Sequence, residues 1–149
     1  MADRYVRPGW FTKRVFNPLV AALTRLGVSV WGSRVLAVRG RSSGEWRTTP
    51  VNLLSHAGDR YLVAPRGTTQ WVRNLRVSGN GELRVGRRVE RFTAAEVADA
   101  DKPDILRAYL TRWKAEVGVF FGGVSAASSE EELRRIAPDH PVFRLQPQG

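Results

Sequence analysis

Residues Thr48–Pro65 read TTPVNLLSHAGDRYLVAP, two runs rich in β-branched and aliphatic residues, Thr48–His56 and Arg60–Pro65, set either side of Ala57-Gly58-Asp59. Short runs of this kind broken by glycine and aspartate predict a β-hairpin. Upstream, Arg34–Arg39 (RVLAVR) reads as a further strand, and Gly40–Arg47 (GRSSGEWR) interrupts it with glycines and serines. Downstream, Arg66–Thr69 (RGTT) forms a second loop directly after the hairpin.

Gln70–Val77 (QWVRNLRV) then sets Trp71, Leu75 and Val72 at helical spacing before Gly79-Asn80-Gly81 stops the run. Two more strands are expected at Glu82–Val85 and Arg88–Val97, joined across Gly86-Arg87. A helix is predicted over Pro103–Phe121, with Ile105, Leu106, Tyr109, Leu110, Trp113, Val117 and Phe120 on one side and Pro103 in its permissive first turn. Ser128 is placed to start a short helix with Glu131 completing a capping box, and His140–Leu145 (HPVFRL) reads as a closing strand.

Near the N-terminus, Phe11, Val15, Leu19, Leu23 and Leu26 recur at three- or four-residue spacing, with Lys13, Arg14 and Arg25 off that stripe. This predicts an amphipathic helical segment within residues 1–33. Such a helix packs on the domain or lies on an anionic membrane surface. Several short antiparallel strands with one inserted helix, followed by helices and a last strand, give an α+β fold: a small β-barrel of mostly antiparallel strands with peripheral helices. The 149 residues suffice for one domain over 1–149, with the barrel and C-terminal helices in 34–149.

Composition narrows the chemistry. No cysteine is present, which excludes disulfides, thiolate catalysis and cysteine-bound metal, and His56 and His140 are too few for a histidine-rich metal centre. No metal is expected. The histidines also lack a motif-spaced serine or acid partner, and Glu130-Glu131-Glu132 reads as a solvated helix start, so no hydrolytic site is visible. Neither a secretory signal nor a run of the ~20 apolar residues that span a bilayer is found, and the chain is expected in the cytoplasm, with peripheral membrane contact through the N-terminal helix left open.

The net charge of +10, with 24 Lys+Arg against 14 Asp+Glu, attracts a polyanion: nucleic acid, anionic lipid or a charged small molecule. Arginine binds phosphate and carboxylate oxygens as a bidentate fork. In GRSSGEWRTTP, Arg41 and Arg47 flank Ser42, Ser43 and Gly44, so glycine allows close approach, hydroxyls and amides donate, and the arginines neutralise. The loop lacks the Gly-Lys-Ser/Thr ending of a P-loop. Arg66-Gly67 with its two threonines repeats the chemistry, and the two loops can converge on one ligand. Trp71 and Val72 offer apolar surface to a planar ring, and Asn74 a hydrogen bond, although core packing and solvation are the ordinary fates of such residues. A chain without an acid–base or nucleophilic constellation must borrow its chemistry from a cofactor.

These residues resemble the deazaflavin-dependent nitroreductase family of F420-dependent oxidoreductases, found mainly in actinobacteria. The resemblance rests on Gly40–Pro50, the hairpin Gly58–Ala64, Arg66-Gly67, Trp71-Val72-Arg73-Asn74-Leu75 and Pro141-Val142-Phe143, in family order over Val35–Leu145. It implies a split β-barrel like those of flavin reductases and pyridoxamine-phosphate oxidases, binding coenzyme F420 rather than FMN in a groove along the barrel. By resemblance, Arg41, Ser42, Ser43 and Arg47 hold the phosphate or glutamyl tail, with Thr48, Thr49 and Pro50 lining the same groove. Val63, Ala64, Pro65, Arg66 and Gly67 border the deazaflavin, and Trp71, Val72 and Asn74 complete the pocket.

The implied reaction is hydride transfer from F420H2 to an electron-poor small molecule such as an enone, quinone or nitroaromatic, with no specific nucleic acid partner and a homodimer conceivable. Two departures concern the substrate side. Only Thr68-Thr69-Gln70 separates Gly67 from Trp71, where family nitroreductases have a longer loop. Val51-Asn52-Leu53 and Val117–Phe121 stand where those enzymes carry pocket tyrosines. Catalytic residues, proton donor and physiological substrate are not assigned by the sequence. An FMN enzyme on the same fold and a non-enzymatic basic barrel holding nucleic acid or lipid are the alternatives.

Overall fold

The computed structural model describes residues 33–148, and the helix expected over Trp10–Leu26 lies outside them. Six strands, β1 (Ser33–Arg39), β2 (Trp46–His56), β3 (Asp59–Val63), β4 (Asn80–Val85), β5 (Arg88–Glu96) and β6 (Val142–Pro147), close into one antiparallel barrel in the order β1-β2-β3-β6-β5-β4. Helix α1 (Gln70–Ser78) is inserted between β3 and β4, while α2 (Pro103–Val117) and α3 (Glu130–Ile136) lie between β5 and β6.

The expected hairpin forms around a two-residue turn. Ala57 and Gly58 both take positive φ, 51° and 84°, and His56 pairs with Asp59 across them. Two positive φ values give the primed turn whose twist matches that of the strands it joins.

Strand alternation sorts side chains into two cores. Leu36 and Val38 of β1, Leu62 of β3, Leu83 of β4, Phe92 of β5 and Phe143 and Leu145 of β6 share one buried cluster with Val72 and Leu75 of α1, so the inserted helix packs with the barrel core. The opposite faces of β2, β3 and β6, through Leu54, Tyr61, Val63 and Val142, pack under α2 and α3. One inward position admits no side chain beyond hydrogen. A Cβ on Gly81 would lie 2.8 Å from the Ala37 carbonyl oxygen and 2.9 Å from the Phe92 ring.

Three local expectations are corrected. The helix from Pro103 does not run to Phe121: Trp113 has non-helical φ/ψ, α2 ends at Val117, and a 3-10 turn covers Gly118–Phe121. At that break the Trp113 indole donates to the Leu53 carbonyl of β2 at 3.3 Å. The cap of α3 is Ser129, whose hydroxyl accepts from the Glu132 amide, while the Ser128 hydroxyl accepts from Ser125 N–H instead. The closing strand begins at Val142, because the His140 amide still donates to Ala137 at the end of a 3-10 turn.

Candidate functional site

The position of the site follows from how β2 changes partner. Its residues Trp46–Asn52 pair with β1, and Leu53–His56 pair with β3. Over its first seven residues the edge turned away from β1 is therefore not taken by β3, whose chain leaves the sheet after Val63 and runs through Ala64–Thr69 into α1. Thr49, Pro50, Val51, Asn52 and Leu53 on this strand, and Pro65, Arg66, Thr69 and Trp71 on that segment, are half-buried. Val51, Leu53 and Trp71 rest on the barrel core, and the Trp71 ring sits 6.0 Å from Phe143. They form an apolar wall beside the open edge.

The two loops singled out by composition are joined through α1. In the β1–β2 loop, Gly40 N–H donates to the Glu45 carbonyl at 2.8 Å and Gly44 N–H to the Gly40 carbonyl at 2.9 Å, with Gly44 at φ 74°. Both the Arg41 backbone N–H (3.1 Å) and its Nη1 (2.8 Å) donate to Asn74 Oδ1, and Nη1 also donates to Gln70 Oε1 at 2.9 Å. Asn74 is buried, not an exposed helical amide. Helix α1 itself is held by Gly79, which takes φ 71° and donates to the Leu75 carbonyl.

The other predicted residues sort as follows. Ser42 and Ser43 are exposed at the loop tip, with Ser43 Oγ accepting from Glu45 N–H. Arg47 is exposed, 3.7 Å from Glu45 Oε2. By its register with Val38 it shares the inward face with Thr49, while Thr48 and Pro50 point outward. Ala64 and Gly67 are buried beside α1, Gly67 at φ 89°. Ala64 donates its N–H to the Pro141 carbonyl at 2.8 Å, which fixes where the segment departs.

Two of the predicted residues turn their side chains into the core. Val63 belongs to the core under α2, so its side chain faces away from the open edge. Val72 is fully buried in the barrel core and supports the Trp71 wall from behind. The threonines after Gly67 gain importance: Thr69, the residue preceding α1, caps no helical amide, and its buried Oγ1 has no hydrogen-bond partner. A buried orphan hydroxyl costs about 1–3 kcal/mol unless a ligand meets it. The PRGTT composition was the signal for it.

Resolved shifts in protonation fall on Arg34, Glu90 and Tyr61, and Arg34 is the cross-strand partner of Val51. Arg34, Arg60, Arg88 and Glu90 occupy inward-facing register positions toward the barrel end where β1 begins. The Arg60 guanidinium grips Glu90 with both nitrogens and holds that carboxyl below its ordinary range, against the opposing effect of burial. Burial, with Arg88 and Arg60 nearby, lowers Arg34. Tyr61, under α2, is raised by burial and then by Asp59. Among the described residues no cluster of His, Cys, Asp and Glu could hold a metal, and no helix is long and apolar enough to cross a membrane.

A closed six-stranded antiparallel barrel with helices outside it is the α+β split-barrel architecture of F420-dependent reductases. An F420-H2 dependent reductase, FDR-A, superposes with a TM-score of 0.52 at 16% identity over 77% of this chain and 94% of that one. A chain described as a domain-swapped dimer gives 0.55 at 16% identity, over 92% and 97%. Protein Atu2129 of unknown function from Agrobacterium tumefaciens gives 0.55 at 18%, over 99% and 60%. At such identities the likeness is one of fold. Residues 14–123 match the model of the F420H(2)-dependent quinone reductases, and the chain belongs to that family. It is accordingly an oxidoreductase that depends on reduced F420. No curated protein matches it in sequence.

Proposed function

We propose that reduced F420 lies along the open edge of β2, with its anionic tail toward the Gly40–Thr49 loop and its ring toward Val51, Leu53 and Trp71, and that an electron-poor small molecule is reduced there. The observation that carries this reading is the Arg41 bracket on α1, which ties the anion-binding loop to the helix bearing the aromatic wall. The residues fit the cofactor: a phosphodiester and several carboxylates need guanidinium and amide donors, and a planar ring needs an apolar face. Thr69 Oγ1, buried and without a partner, is a further donor available to a bound oxygen.

When bound, reduced F420 supplies a hydride from C5 of its deazaflavin. The chain's part is positioning. Arg41, Arg47 and Arg66 offset the charge of the tail. Trp71, Val51 and Leu53 exclude water from one side of the ring. Ala64, pinned to Pro141, fixes the backbone that borders it. Solvent or a nearby donor supplies the proton that completes the reduction.

Quinones are the first substrates to expect from the family, with enones and nitroaromatics as further electron-poor acceptors. Titration with F420, followed by fluorescence, tests the binding half, and the absence of binding at concentrations on the order of tens of micromolar would sink it. Oxidation of F420H2 against quinones, enones and nitroaromatics tests the other half. Turnover with none of the three would overturn the substrate assignment while leaving the cofactor site intact.

A further inference from the structure

The arginines in ion pairs face carboxylates, whereas Arg41, like Arg39 on the Gly44 carbonyl and Arg107 on the Ala126 and Ser128 carbonyls, is held by neutral oxygens. Arg60 is set against Glu90, Arg76 against Glu96, Arg84 and Arg91 against Glu82, and Arg134 against Glu130. The guanidinium of Arg41 is instead held, among the described residues, by two neutral amide oxygens, Gln70 Oε1 and Asn74 Oδ1, both on Nη1. A carboxylate in either place would fix the same side chain and cancel its charge. An amide fixes it and leaves the charge whole.

The geometry has a second consequence. With both Nη1 hydrogens directed at the helix, the Nε and Nη2 edge of the guanidinium remains, and that edge is a bidentate fork for a phosphate or carboxylate. Arg41 is exposed while its partner Asn74 is buried, so a guanidinium ordered by a buried acceptor is accessible to a ligand. An arginine ordered before its ligand arrives loses less rotamer freedom on binding.

We infer that Gln70 and Asn74 are positioning residues that hold Arg41 as an oriented cation without neutralising it, and so set the affinity for the anionic tail of F420. This rests on the cofactor site proposed above. The test is Gln70→Glu, an exposed position where an oxygen acceptor for Nη1 is retained and a charge is added. Asn74→Asp forms a second arm.

Gln70→Glu should keep the melting temperature of the cofactor-free protein, while Asn74→Asp, at a buried position, is expected to lower it and is read at a temperature where the protein is folded. Each variant should raise the Kd for F420 on the order of tenfold in low salt, and less in high salt, because one unit of the attraction is removed. The KM for F420H2 should rise by a larger factor than kcat falls. In an Arg41→Ala background Gln70→Glu should add little. An unchanged Kd in both variants overturns the inference. So does an equal loss with and without Arg41, which would mean that the added charge repels the tail directly. If the unaltered protein binds no F420, the cofactor assignment fails and the inference falls with it. If it binds and Gln70→Glu is harmless, the inference alone fails.

Discussion

Arg41 and Arg47 flank the same loop, but their surroundings predict unequal effects of removal. Arg41 is anchored through Nη1 to two amides, and its remaining edge is ready for an anion. A hydrogen bond to a charged group is worth about 1.5–3 kcal/mol net. Since about 1.4 kcal/mol is tenfold in affinity, Arg41→Ala should weaken F420 roughly 10–150-fold. The Arg47 side chain is 62% exposed and only 3.7 Å from Glu45. Ordering such a chain costs up to about 2 kcal/mol of rotamer freedom and breaks a weak exposed pair, so Arg47→Ala should cost less than about fivefold.

The two changes must also be separated from damage to the fold. Arg41→Ala takes one donor from the buried Asn74 Oδ1, but the backbone N–H of residue 41 still reaches it, so the stability loss should stay near the low end of about 1–3 kcal/mol. For a chain of this size that is roughly 2–4 °C in Tm. Fluorescence titration of F420 at one fixed salt concentration, well below the melting range, makes the comparison. An Arg47→Ala protein that loses as much affinity as Arg41→Ala would refute the reasoning from preorganisation.

Gly81→Ala should destabilise by about 1–3 kcal/mol in urea unfolding with an unchanged slope, because the new Cβ meets the Ala37 carbonyl and the fully buried Phe92 ring; a neutral result would mean that the β1–β4 ladder yields. Thr69→Val keeps the shape and removes a buried hydroxyl that has no partner, so it should hold or raise Tm while weakening F420 several-fold, roughly 1 kcal/mol; unchanged F420 affinity would show that the hydroxyl does not meet the cofactor. Glu90 titrates below its ordinary value of 4.5 because Arg60 grips it, so the pair stabilises the fold fully above that pH and progressively less as pH falls through the lowered folded value. Thermal melts of Glu90→Gln and of the unaltered chain should therefore differ at neutral pH and converge in acid, and a constant difference would assign the effect to packing.

The elements were legible where sequence punctuates them locally. Ala57-Gly58 announces the hairpin, and Gly79 ends α1, because a positive φ is needed at these points and glycine supplies it most readily. Where the sequence offers two equal readings, only tertiary contacts decide. Ser128 and Ser129 both stand three residues before a glutamate, and the choice falls to Ser129 because the Ser128 hydroxyl is taken by Ser125. The apolar stripe of α2 runs past Val117 without interruption, so nothing local marked the break at Trp113, where the indole reaches across to β2.

The site was legible as composition and not as geometry. The loop and the tryptophan–asparagine block could each be named, but the bond that joins them spans thirty-three residues of chain. Arg34 and Arg60 each begin an expected strand run, and only the closed register puts them on the inward face with Glu90.

One sequence signal pointed at the open edge directly. Pro50 stands in the middle of an eleven-residue strand, yet proline has no N–H to give a neighbouring strand and is tolerated in sheets only at edges and irregularities. Its presence argues that β2 has a free side over Trp46–Asn52, which is the stretch that pairs with β1 alone among the other strands. An exposed edge invites pairing with another chain, and a proline in its centre discourages that. The residue that interrupts the ladder thus helps keep available the groove in which we place F420, so one local irregularity links the closure of the barrel to the opening of the site.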